Sequence, residues 1–140
     1  MPAGRAGRRP RGERRVHPYE WAVIRVVPRV ERCEFVNAGV LVHCRALDFL
    51  RAAVDLDEAR ALALDPSLDL PAVHRHLVAL QEVVDGSPTA GPSATRPIAE
   101  RFRWLTAPRS TVVQPSPVHT GLTTDPAAEL TRLLDTMVRR

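Results

Sequence analysis

With 140 residues, 44% of them hydrophobic, the chain has about one domain's length and enough apolar residues for a core without disulfides or metals. Its formal net charge of +4 is uneven: Arg5, Arg8, Arg9, Arg11, Arg14 and Arg15 against Glu13 give the first fifteen residues +5, leaving about −1 for the rest. Any nucleic-acid reading therefore rests on that tail alone, and no apolar run approaches the roughly 20 residues of a membrane span.

Met1 to Arg15 is Gly, Pro and Arg with almost nothing apolar, the composition of a disordered Arg-rich tail that buries too little to offset its ordering entropy. The sharper alternative is an arm that touches phosphates. No apolar stretch follows the arginines, so a secretory signal is not expected. Residues 16–140 are expected to form a single α+β domain.

Tyr19 to Val27 is β-branched and aromatic, and Pro28 ends it, which predicts a strand. Glu34 to Cys44 predicts a second, antiparallel to the first. Its even positions (Val36, Ala38, Val40, Val42 and Cys44) form one continuous apolar face. Asp48 to Val54 fits a third meander strand better than the start of a helix. Asp57 to Leu64 reads as a short helix closed by Asp65-Pro66. Leu70 to Val84 reads as a longer one, with Leu70, Val73, Leu77, Leu80 and Val84 on one face, Pro71 in the first turn and Gly86 as its stop.

Thr95 to Leu105 predicts a third helix. Thr106 to Gly121 is a proline-rich loop with room for a short edge strand at Thr111 to Gln114. Asp125 as N-cap and Pro126 at N1 open a last helix, whose stripe is Leu130, Leu133, Leu134, Met137 and Val138. The expected fold class is α+β: a small antiparallel sheet, an N-terminal meander of two or three strands plus a later edge strand, packed by about four helices.

Two places hold most of the residue types that carry chemistry. Arg25 shares its strand face with Trp21, Val23 and Val27, where a charge is costly unless paired or hydrated. Glu34 or a helix carboxylate would pair it; the functional alternative is an anion or carboxylate clamp. Asn37 and Gly39 interrupt the second strand, as a bulge does, or as a ligand contact beside Arg25 does. The loop adds Arg109, Ser110, Thr111, Gln114, Ser116, His119 and Thr120. His119, among hydroxyls, is the histidine placed for acid–base work, against the plainer reading of a proline-stiffened surface loop.

Metal and thiol chemistry find no support. His74 and His76 are two apart on a helix and point different ways, and no Cys/His set has zinc spacing. Cys33 and Cys44 read as reduced thiols of a cytoplasmic protein. Neither a phosphate-cradling glycine loop nor a nucleophile elbow is present, so no cofactor is expected.

Taken together, YEWAVIRVVPRVERCEFVNAGVLVHC and FRWLTAPRSTVVQPSPVHTG resemble the bacterial domain-of-unknown-function family 3037, over nearly all of Tyr19 to Val138. The resemblance assigns no catalytic role to any residue. It implies a loose association with kinases resembling the bacterial persistence toxins, near which members are often encoded. The motif residues are Arg25, Glu34, Asn37, Gly39, Arg109, Ser110, His119 and Gly121.

The preferred reading is a non-catalytic binding module for a protein partner, such as a toxin-like kinase, or for an anionic ligand. Its binding candidates are Arg25, Glu34, Asn37, Gly39, Arg109, Ser110, Thr111, His119 and Thr120. A small hydrolase or phosphoryl-transfer enzyme is the second reading, with His119 as acid/base and Arg25 and Arg109 stabilising negative charge. Nucleic-acid binding through the tail is the third. The first two depend on whether Arg25, Asn37 and the Arg109–His119 loop meet in space.

Overall fold

The first strand, β1 (His17–Val26), sends Ile24 and Val26 to one side and Tyr19 and Val23 to the other, and both sides are buried. A strand apolar on both faces needs a layer of structure on each. The computed structural model describes residues 15–139, so residues 1–14 and the roles expected of the tail lie outside the described residues. Strands β2 (Val36–Cys44) and β3 (Phe49–Val54) continue an antiparallel meander. The short helical turns between the strands end on Cys33 and Asp48, both with positive φ.

The other edge of β1 is shared end to end by two strands. Residues Ile24 to Val26 pair with β4 (Val113–Pro115), and His17 to Trp21 pair with β5 (His119–Thr123). Between β4 and β5, buried Ser116 replaces the ladder: Val23 N–H donates to Ser116 Oγ at 2.8 Å, and Ser116 N–H donates to Val23 O at 2.8 Å. Pro115 and Pro117 have no N–H to offer, and the serine hydroxyl supplies the acceptor a carbonyl would otherwise provide.

This corrects two expectations. The edge strand starts at Val113 rather than Thr111, and His119 and Thr120 are strand residues rather than loop residues. The sequence HTGLT is too short and polar to signal a strand alone; the free edge of β1 makes it one.

Four α-helices are present among the described residues. α1 (Glu58–Leu64) and α2 (Leu70–Asp85) are capped by Asp57 and Asp69, whose side chains accept from Arg60 N–H and Ala72 N–H, and Gly86 ends α2 with φ of 71°. α3 (Ile98–Thr106) begins three residues later than expected, because Pro97 forces Arg96 into an extended conformation. α4 (Pro126–Leu133) is capped by Asp125 and runs into a π-turn over Leu134–Val138. That wider turn shifts the phase of the stripe: Leu133, Leu134 and Val138 are buried, while Met137 is 36% exposed.

α2 and α3 cover one face, with Val73, Leu77, Val84, Phe102 and Leu105 packed on Ile24, Val26, Leu41 and Leu50. α4 and its π-turn cover the other, on Tyr19, Val23, Val40, Val42 and Cys44. The even positions of β2 are therefore not one face. Ile24 lies opposite Gly39 and Arg25 opposite Asn37, so Ala38 is a bulge residue. Beyond it the side chains change sides: Ala38 joins the α2–α3 core, Val40 and Val42 the α4 core. The sheet and helices make an α+β fold.

Candidate functional site

Where α2 and α3 meet the β4 edge they leave a groove of about 490 Å³. Its floor is apolar, built from Ile24, Leu41, Val83, Leu105 and Val113; its rim carries His76, Glu82, Trp104, Arg109, Thr111 and Gln114. The size suits a small organic ligand.

Arg109 is set at this rim by the end of α3. A helix leaves its last carbonyls without intrahelical partners, and the negative end of its dipole attracts a cation. Arg109 Nη2 donates to Trp104 O, its Nε donates to Ala107 O at 3.3 Å, and its guanidinium lies 4.8 Å from the Trp104 ring centroid. Two of its five N–H donors are thereby fixed, and three have no partner among the described residues. Thr111 Oγ1 donates to Val113 O at 2.7 Å and Gln114 Nε2 to Thr111 O at 2.7 Å, so these side chains brace the turn into β4. Ser110 is exposed and makes no side-chain hydrogen bond among the described residues.

The other expected site residues lie elsewhere. Arg25 pairs in backbone register with both Asn37 and Gln114, so strand and loop do meet. Yet Arg25 alternates with Ile24 and Val26 and faces α4, whereas Arg109 lies on the α2–α3 side. Glu34 is not Arg25's partner: it accepts from Arg32 Nε at 2.7 Å, in an exposed pair. Arg25 instead sits 4.1 Å above the Phe35 ring.

Asn37 Nδ2 donates to Met137 O at 2.9 Å, tying β2 to the C-terminal turn. Gly39 lies at the bulge, where an added Cβ would stand 2.6 Å from Ala53 O. His119 is exposed and stacks on Trp21 at 4.5 Å, with no carboxylate in hydrogen-bond reach among the described residues. It is four residues from Arg25's position along β1, about 13 Å at the usual strand rise. Thr120, opposite Glu20, is exposed.

Two groupings have no place in the sequence-based expectations. His43 is buried on the α2–α3 face, with Nδ1 3.0 Å from Glu20 Oε1 and its ring 5.0 Å from that of Phe102. Its position among the mixed odd residues of β2 was the available signal. On the opposite face Tyr19 O–H donates to Glu129 Oε1 at 2.8 Å, and Arg132 donates to the same oxygen.

Arg132 first, then the tyrosine, holds the Glu129 carboxyl below its ordinary range against burial, while burial and the carboxylate push the Tyr19 hydroxyl up. A depressed carboxylate stabilises the fold above the unfolded value near 4.3, and this is lost as pH falls through the folded value. Arg132 is 56% exposed, so solvent screens much of its share. Glu129→Gln is expected to lose about 1–2 kcal/mol at pH 7, a gap that closes toward pH 3 in urea titrations.

A family model described as "Protein of unknown function (DUF3037)" matches residues 21–138. The chain belongs to the DUF3037 family. No curated protein and no solved structure matches it. The DUF3037 span runs from β1 through the π-turn and includes the groove, Arg25, Asn37 and His119. No helix among the described residues is long and apolar enough to cross a membrane.

Proposed function

We propose that this DUF3037 member is a non-catalytic binding module and that its ligand is an amphipathic anion: an apolar body on the groove floor, a carboxylate at Arg109. One observation carries this reading. Arg109 is held against Trp104 by two backbone carbonyls at the mouth of an apolar groove, with three donors uncommitted. A guanidinium already ordered in this way loses little freedom on taking an anion, and an apolar surround strengthens the pairing.

Binding rather than turnover is favoured by the scatter of the acid–base candidates. His119 stacks on Trp21 away from Arg109. In the groove, His76 and Glu82 are six residues apart on α2 and share no hydrogen bond among the described residues. A protein partner, such as the kinase implied by the resemblance, would enter the same groove by presenting a carboxylate on an apolar segment.

The test is calorimetric titration with decanoate and its neutral counterpart decanamide. Decanoate is expected to bind the wild type more tightly, and Arg109→Gln to weaken decanoate about 10- to 100-fold, the worth of one charge-assisted bond, while sparing decanamide. No decanoate binding up to millimolar concentration, or unaltered affinity in Arg109→Gln, would reject the reading.

A further inference from the structure

Among the described residues, Arg25 is a cation without an anion. It stands next to last in β1 on the α4 face, half-buried, two residues beyond Val23. None of its N–H groups bonds an acceptor among the described residues, and Nε is sealed from solvent without a partner. Among the described residues, its charge is met by the Phe35 ring at 4.1 Å.

Among the described residues, four nearby carboxylates are committed elsewhere. Glu31 pairs with Arg29 at 3.6 Å, Glu34 with Arg32 at 2.7 Å, and Asp55 and Asp135 with Arg139 at 2.7 and 3.0 Å. The cross-strand neighbour Asn37 spends its amide N–H on Met137 O, and its Oδ1 is likewise sealed and unpaired. Arg101 also has a sealed Nε, but its Nη1 donates to Ala94 O at 3.2 Å. A half-buried guanidinium with no hydrogen-bonded partner is costly to keep, and the cost is relieved by an anion brought from outside.

We propose that Arg25, Phe35 and Met137 form a docking surface for a protein segment that presents an Asp or Glu carboxylate beside an apolar side chain. The missing anion sets the charge of the partner. The surroundings set its class. Arg25 lines neither the Arg109 groove nor the hollow beside Arg96 and Glu100, and a small anion on its partly exposed guanidinium would be screened by solvent and salt. Phe35 is 43% exposed and Met137 36% exposed. Arginine, an aromatic and methionine are the residue types that interface centres favour, and the surface a protein segment covers would exclude water from the ion pair. This surface is on the opposite face from the Arg109 groove and stands or falls independently of it.

The test uses the full chain, ¹⁵N-labelled, with the Arg25 Nε–H resonance assigned by its loss in Arg25→Met. The probes are acetyl-Leu-Glu-Leu-amide, its Gln counterpart and sodium acetate. The Glu peptide is expected to shift the Arg25 Nε–H and Phe35 signals saturably at millimolar concentration. Binding is expected to be at least about tenfold weaker for the Gln peptide and for Arg25→Met, the scale of one charge-assisted contact.

No shift at Arg25 with the Glu peptide overturns the proposal. An equal saturable shift with acetate alone assigns the site to free anions and overturns the protein source. Thermal melting adds an arm that needs no ligand. Arg25→Met should melt at or above the wild type if the guanidinium is uncompensated; a fall of more than ~5 °C would show that the fold already satisfies it.

Discussion

Gly39→Val is expected to cost about 3 kcal/mol or more, enough to leave a marginally stable chain largely unfolded. The reason is contact rather than backbone conformation, since the φ of Gly39 is not among the positive values. A Cβ on Gly39 would stand 2.6 Å from Ala53 O, 3.2 Å from Ile24 Cδ1 and 3.2 Å from Val54 Cα. Ile24 could rotate, but a carbonyl oxygen and a Cα of β3 move only if the β2–β3 ladder moves with them. Gly39 pairs with Val54 and Val40 with Ala53 in that ladder, and Asp55 N–H donates to Ala38 O at 2.7 Å just beyond it.

The clash begins at Cβ, so Gly39→Ala should already show most of the loss in urea titrations, with Val adding to it. A Gly39→Ala variant within about 0.5 kcal/mol of wild type, the range of an ordinary surface change, would disprove the close approach. Gly121 is a milder case. There the nearest atom to an added Cβ is Tyr19 Cε1 at 2.7 Å, part of a side chain rather than backbone.

Leu41→Ala is expected to cost about 2–5 kcal/mol, the range for truncating a buried leucine. Leu41 is fully buried, packs among the residues beneath α2 and α3, and forms part of the groove floor. Its place beside the groove decides where in the range it falls. A space that opens to the groove fills with water more readily than a closed apolar void, so the loss belongs in the lower half. Leu133→Ala, on the α4 face away from the groove, should fall in the upper half. Paired denaturation curves check both the size and the order. Leu41→Ala should also weaken decanoate, because the apolar floor recedes from the ligand.

These effects turn on features that differ in how far the residues announce them. The strands β1 to β3 were legible because β-branched runs end at Pro28 and at polar turns. The helices α1, α2 and α4 were legible from the Asp65-Pro66 stop of α1, the apolar stripe, Pro71 and Gly86 of α2, and the stripe, Asp125 and Pro126 of α4. The start of α3 was misjudged although the cause, Pro97, stood in the sequence.

The face of β2 could not be read from alternation, because a bulge depends on the partner strand's register as much as on Asn37 and Gly39. Strand β5 was invisible for a similar reason. Its residues have weak strand preference, and the ladder on β1 makes up the difference.

The candidate site divides in the same way. Arg25 was singled out as a charge within an apolar strand and Arg109 as one of the polar residues of a proline-rich loop. Their relation was beyond sequence: one side of the sheet or the other depends on alternation along β1 and on where α3 ends. Trp104 became part of the site only once its carbonyl and ring were seen to hold Arg109.

Local chemistry thus accounts for the strands, the caps and the presence of two notable arginines, because propensity, capping and burial cost act within a few residues. Pairing across the sheet accounts for the bulge at Ala38, the strand at His119 and the separation of Arg25 from Arg109. Those depend on hydrogen bonds between residues up to about a hundred positions apart, such as Asn37 to Met137, which no local pattern encodes.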